Sequence, residues 1–179
     1  MMDQRQAEQL ETLEKLRSEL LGRLSDLNSE TLNRKPSAGG WSAVQVLAHV
    51  IQAERLSLEY LRKKTQKPEL IPRSGVICAL KSRALGLFLR LPFKVSAPGR
   101  TAEVPESAEL QDLEQDWAEV RSDWRDFLED FPPGLAGKAV YKHPVAGRLN
   151  LEQTLRFLID HLRRHTRQIE RTLVEAVAR

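Results

Sequence analysis

Apolar residues recur at spacings of three and four along most of this chain, as they do in helices that bury one face. The first run predicts a helix over roughly residues 4–27, followed by a break at Pro36 and at Gly39 and Gly40. Its apolar positions are Leu10, Leu13, Leu16, Leu20, Leu24 and Leu27.

Three further helices are predicted downstream. The second begins after Ser42, a predicted N-cap with Gln45 placed to complete a capping box, and continues to about Lys64. The third carries apolar residues in near-heptad spacing over 110–127 and stops at the prolines of 132–133. The fourth begins after Asn150, a good N-cap, and runs to the C-terminus.

Four helices of this length, without a convincing alternating strand pattern, predict an all-α four-helix bundle in a single domain spanning residues 1–179. The connection over about 66–106 is too long for a tight hairpin. We therefore expect a long crossover that lets the second and third helices run parallel. Within it, residues 76–91 predict a short extra helix.

The crossover helix has several possible roles. Lys81, Arg83 and Arg90 interrupt its apolar sequence, so a membrane span is not expected. It can cover one end of the bundle core, which is the favoured interpretation, lie on a membrane surface or form a subunit contact. A homodimer is predicted, formed by bundle helices or by the apolar residues of this segment. Those residues are Leu85, Leu87, Phe88, Leu89, Leu91 and Phe93.

Composition and charge add little to this picture. The formal net charge of +3 is the difference between 28 basic and 25 acidic side chains, which is not a strong cationic field. The third helix is acidic and the fourth is rich in arginine, but no aromatic residues interleave with the arginines, so nucleic-acid binding is not expected. A single cysteine, Cys78, and a start without signal-peptide features predict a cytoplasmic protein.

Three histidines form the candidate chemistry. His161 and His165 lie one turn apart at the edge of the apolar stripe of the fourth helix, and His49 lies beside the stripe of the second. An HxxxH pair alone is a weak signal. Two polar lines that border two core stripes can, however, meet inside a bundle.

A metal ion would satisfy three buried imidazoles together, which would otherwise need separate hydrogen-bond partners. Neutral imidazole suits zinc, nickel, iron or copper, and we expect a divalent metal, zinc or nickel first and iron next. Three protein ligands leave a coordination position for water or substrate, which favours catalysis over a closed structural site. Such a position can activate water or bind a thiol as thiolate.

Two segments resemble motifs of one family. Residues 40–49, GWSAVQVLAH, resemble the opening of helix two in the DinB-like (DNA-damage-inducible) superfamily, and residues 161–169, HLRRHTRQI, resemble its helix-four motif. Residues 141–147 before the last helix add to the likeness, which covers essentially the whole chain in architecture. The order and separation of the three histidines also agree with the family.

The resemblance implies a four-helix bundle with a long crossover, a divalent metal held by His49, His161 and His165, and frequently a dimer. Family members with known activity include metal-dependent transferases and isomerases that use low-molecular-weight thiols such as bacillithiol or mycothiol. We therefore expect a metal-dependent S-transferase acting on a small thiol and an electrophilic small molecule. The alternatives are a metal-dependent hydrolase and a non-enzymatic metal-binding stress-response module.

His143, the fourth histidine, precedes Pro144 in a predicted loop. The proline restricts its backbone and can aim the ring at a metal site, but an ordinary loop histidine is the favoured interpretation. We therefore keep His143 out of the predicted ligand set, and the sequence assigns no catalytic residue.

Overall fold

The computed structural model describes residues 2–37, 39–91 and 99–177, which form six α-helices and one small antiparallel sheet. The elements are α1 (Gln4–Leu24), α2 (Ser29–Asn33), α3 (Ala43–Thr65), α4 (Val76–Arg90), α5 (Leu110–Glu129), β1 (Tyr141–His143), β2 (Gly147–Leu149) and α6 (Leu151–Val177). The four long helices α1, α3, α5 and α6 enclose the hydrophobic core. The predicted all-α bundle is thus confirmed.

Polar caps define where α3 and α6 begin. Gln45 N–H donates to Ser42 Oγ at 3.4 Å, and Ser42 N–H donates to Gln45 Oε1 at 3.1 Å. Asn150 and Gln153 make the same reciprocal pair, at 2.9 and 3.1 Å. Both predicted N-caps are confirmed, and each satisfies backbone donors that the first helical turn leaves unpaired.

The first helix ends three residues earlier than predicted. It stops at Leu24, and Leu27 contacts the core from the turn that follows instead of from the helix. Asn28 then caps the short helix α2, since its Oδ1 accepts the Thr31 N–H at 2.8 Å. Only three residues separate the end of α1 from the N-cap that begins α2, so the leucine spacing overestimated the length of α1.

Ion pairs between helices show the direction of the chain. Arg55 and Arg62 of α3 pair with Asp116 and Asp123 of α5, so the two helices run parallel, as the long crossover predicts. Residues 5 and 23 of α1 pair with residues 152 and 170 of α6 in the same sense. The bundle therefore consists of two parallel pairs.

The crossover helix α4 packs against α6 and β2, and one of its faces stays exposed. Leu85 and Leu89 are buried, whereas Leu87 and Leu91 are exposed. A Cβ added at Gly86 would lie 2.9 Å from Asp160 Oδ2, so glycine permits close contact with α6. Covering the core thus explains two of the six apolar residues named for this segment, while Phe93 lies outside the described residues. None of the described helices has the length and apolarity that a bilayer crossing demands.

The hairpin of β1 and β2 was not predicted. Its strands are three residues long, with Tyr141 opposite Leu149 and His143 opposite Gly147. Three residues are too few to show the alternating pattern by which a strand is recognised. Gly147 has a φ of +74°, a conformation that favours glycine where the chain leaves the turn.

Candidate metal centre

The three predicted histidines meet between α3 and α6. Their rings lie 4.8 Å (His49–His165), 5.3 Å (His49–His161) and 4.4 Å (His161–His165) apart between centroids. One nitrogen from each ring lies within 4.8 Å of the other two, and among the described residues this is the group whose geometry can hold a metal ion.

The spacing fits a transition metal. His161 Nε2 and His165 Nε2 are 3.2 Å apart. Two nitrogens at about 2.0–2.1 Å from a tetrahedral metal lie roughly 3.3 Å from each other. The pair on α6 therefore already has the separation of two ligands to one ion, and His49 approaches from the neighbouring helix.

Hydrogen bonds select which nitrogen of two rings is available. His49 Nδ1–H donates to the Thr101 carbonyl at 2.6 Å, and His165 Nδ1–H donates to Gln168 Oε1 at 2.9 Å. In a neutral ring this leaves a lone pair on Nε2. Outer hydrogen bonds of this kind orient histidine ligands and fix their tautomers.

Of the two hydrogen-bond partners of the histidines, Thr101 and Gln168, only Gln168 could be identified from the sequence. Gln168 lies on the polar edge of the last helix, one turn beyond His165, and is thus visible in the periodicity. Thr101 belongs to a short turn of the crossover, Gly99–Ala102, and approaches His49 only in the folded chain. The helical pattern gives no indication of that contact.

Burial keeps the three imidazoles neutral. It lowers the pKa of His49, lowers the pKa of His161 well below its ordinary value, and lowers the pKa of His165 to about 3. In each case loss of solvation is the main cause, and the mutual proximity of the rings adds to it for His161 and His165. Lone pairs are therefore available for a cation at neutral pH.

His143 lies outside this group of potential ligands. Its Nδ1 accepts the backbone N–H groups of Val145 and Ala146, both at 3.1 Å, so the neutral ring carries its proton on Nε2. Burial lowers its pKa to about 4. The ring contacts Phe157 at 4.5 Å between centroids, and Phe157 in turn lies 5.4 Å from His161.

Aromatic rings border the histidines on two sides. Trp41 lies 5.1 Å from His49, and Phe157 lies beside His161. Trp41 is partly buried against the core. Together the two rings give the candidate centre apolar walls.

Acidification is expected to destabilise the metal-free protein. An unfolded histidine titrates near 6.5, whereas native His165 titrates at about 3. Below about pH 6.5 the unfolded chain takes up a proton that the native state does not, so stability present above that pH is lost as the pH falls toward 3. Between about pH 6.5 and 5 this one group contributes a loss of about 2 kcal/mol.

Urea unfolding at about pH 7.5 and pH 5, with a chelator present, measures this loss. The variant His165→Gln is expected to lose less stability between the two conditions than the wild type. If the stability of the two proteins depended on pH in the same way, His165 would not be a source of the loss.

A family model described as the DinB superfamily matches residues 12–169. No curated protein and no solved structure matches the chain. The matched range contains all three histidines of the candidate centre.

Proposed function

The chain belongs to the DinB superfamily, and on that premise we propose that it is a metal-dependent enzyme acting on small thiols. His49, His161 and His165 hold one divalent transition metal, zinc or nickel first and iron next. The reaction is transfer of a low-molecular-weight thiol to an electrophilic small molecule.

The observation that carries the proposal is the convergence of three neutral imidazoles whose nitrogens lie within 4.8 Å of one another. A structural zinc site usually has four protein ligands, whereas catalytic sites have three and keep a position open. Among the described residues, the candidate centre contains three potential ligands. This ligand number favours a site that receives a substrate.

The residues of the chain prepare the site in two ways. The Thr101 carbonyl and Gln168 hold protons on the Nδ1 atoms of His49 and His165, which keeps both Nε2 atoms unprotonated. Trp41 and Phe157 place apolar ring surface beside His49 and His161. A divalent metal bound there supplies a positive charge that lowers the pKa of a coordinated thiol.

Turnover with defined thiols tests the proposal. Metal-loaded protein is incubated with an electrophile and each of several low-molecular-weight thiols, bacillithiol and mycothiol among them. Product formation is expected to require both the thiol and the metal, and to be lost in His49→Ala. Arg125→Gln, an exposed change on α5, is the matched control and is expected to retain activity.

Two other outcomes would each identify an alternative. Metal-dependent conversion that needs no thiol would indicate a hydrolase, in which the metal activates water. A protein that the metal stabilises, but that converts no tested pair of substrates, would indicate a non-enzymatic binding module.

We also propose a homodimer for this chain, and light scattering over a range of concentrations measures it. A persistent mass near 20.4 kDa would contradict the dimer. Since Phe88 is half-buried and Leu87 is exposed, Leu87→Asp is the better probe of a contact through α4.

A further inference from the structure

The outer face of α4 is an exposed apolar stripe. Ile77, Leu80, Ala84, Leu87 and Leu91 follow one another at spacings of three and four, which places them on one side of the helix. The large residues of this face, with Val76, are between 41% and 86% exposed. Leu85 and Leu89 bury the opposite side against α6. Thus α4 is apolar on two sides, and only one of them contacts the described bundle.

Positive charge surrounds this stripe. The described residues 70–91 contain four basic residues and no aspartate or glutamate. On α4, the exposed Lys81 borders one edge of the stripe, and the exposed Arg83 and Arg90 border the other. Within the described ranges, neither Lys81 nor Arg83 forms an ion pair.

Charged residues on two other helices add to this uneven distribution of charge. Arg164 and Arg167 of α6 donate to the Leu89 carbonyl, so two more guanidinium groups lie at the C-terminal end of α4. The acidic helix α5 packs against α3 and α1 instead. The strongly acidic helix α5 is therefore a different element from the helix that carries the stripe and its flanking basic residues.

We propose that the exposed stripe of α4, with its flanking basic residues, binds the surface of an anionic phospholipid membrane. Aliphatic residues of such a helix enter the boundary between headgroups and acyl chains, while Lys and Arg side chains extend to the headgroups. Each basic residue near an anionic surface contributes to binding. The helix lies on the bilayer and does not cross it.

A second copy of α4 fits this face less well than lipid does. Two-fold pairing of the stripes would bring Lys81, Arg83 and Arg90 of both copies together, and α4 has no acidic residue to oppose them. Like charges across an interface disfavour association. The acidic helix α5 offers charge of the right sign, but none of its large apolar residues is exposed. Anionic lipid supplies both an apolar phase and negative charge.

The stripe is also preformed. Arg164 and Arg167 satisfy carbonyls at the C-terminal end of α4, where cations stabilise a helix. Gly86 lets the helix lie close to Asp160. Binding to a membrane therefore does not require α4 to fold first, as it would for a disordered segment.

Co-sedimentation with sucrose-loaded vesicles tests the proposal in the full-length protein. We compare phosphatidylcholine vesicles with vesicles in which about one lipid in four is phosphatidylglycerol. Binding is expected on the anionic vesicles, with partitioning that falls as the salt concentration rises. Hydrogen exchange over residues 76–91 is expected to slow when these vesicles are added.

Three double variants locate the surface. Lys81→Gln/Arg83→Gln is expected to weaken partitioning about 25-fold, at about fivefold for each charge. Leu80→Ser/Leu87→Ser is expected to weaken it at least tenfold through lost apolar burial. Val145→Ser/Val174→Ser removes two exposed valines elsewhere and is expected to bind as the wild type does.

Circular dichroism confirms that each variant is folded, which is expected because the substituted side chains are exposed. Equal affinity for the neutral and anionic vesicles would overturn the proposal. So would wild-type binding by the two α4 variants. If vesicles do not bind and Leu87→Asp converts a dimer to a monomer, the stripe is an interface between copies of the chain.

Discussion

Wild-type protein incubated with metal and then desalted is expected to retain about one divalent ion per chain. His49→Ala, His161→Ala and His165→Ala are each expected to retain almost none. Each variant leaves two of the three nitrogens that lie within 4.8 Å of one another. Elemental analysis of the desalted proteins gives both the amount and the identity of the metal.

Two further variants separate loss of a ligand from loss of the fold. Gln168→Ala removes the hydrogen-bond partner of His165 Nδ1 and is expected to weaken metal binding about 10–100-fold. His143→Ala removes a nearby histidine that is not among the potential ligands and is expected to retain the wild-type amount of metal. Equal metal content in the wild type and all three ligand variants would refute the site.

Metal is also expected to raise the stability of the wild type. A ligand present at a thousand times its dissociation constant stabilises the folded state by about 4 kcal/mol. The His165→Ala protein is expected to show little of this effect when metal is added. Thermal unfolding with and without a chelator measures the difference.

Glu54→Ala or Arg121→Ala is expected to destabilise the protein by about 3–5 kcal/mol, because each leaves a buried charge without its partner. The two residues are 1% and 3% exposed. Arg121 Nη2 donates to Glu54 Oε1 at 2.8 Å, and Trp117 Nε1–H donates to Glu54 Oε2 at 3.0 Å. Burial raises the pKa of Glu54, and the charge of Arg121 opposes that shift.

Urea unfolding of each single variant measures the loss, and the exposed pair of Arg62 and Asp123 is the matched control. Breaking that pair is expected to change stability by no more than about 1 kcal/mol. The double variant Glu54→Leu/Arg121→Met is expected to recover much of the lost stability, because no unpaired charge remains. If breaking the buried pair and breaking the exposed pair cost the same free energy of unfolding, the expected cost of an unpaired buried charge would be wrong.

The sequence predicted the bundle and the convergence of the three histidines because both follow from helical periodicity. The first residues of α3 and α6 were predictable from the N-caps Ser42 and Asn150. Their side chains accept hydrogen bonds from backbone N–H groups in the first turn of the same helix. Such local interactions do not depend on the rest of the fold. The length of α1 was overestimated because Leu27 continues the spacing although Asn28 begins a new helix.

Contacts between residues far apart in the sequence were harder to predict. Glu54 lies at the spacing of the apolar stripe of α3, and Arg121 lies between Trp117 and Trp124 on that of α5. Two opposite charges on core stripes were therefore a signal of the buried pair, and it was missed. The contact of Thr101 with His49 depends on the path of the crossover, which no periodic pattern describes.

The positions of the three candidate ligands also determine when the proposed metal centre can form as the protein is made. More than a hundred residues separate His49 from His161, so most of the chain must be synthesised before a second ligand exists. Because α3 and α6 must pack together to align the nitrogens, metal acquisition is expected to follow docking of the last helix. Metal uptake would thus report completion of the fold, and a ribosome-bound chain that ends before His161 would remain metal-free.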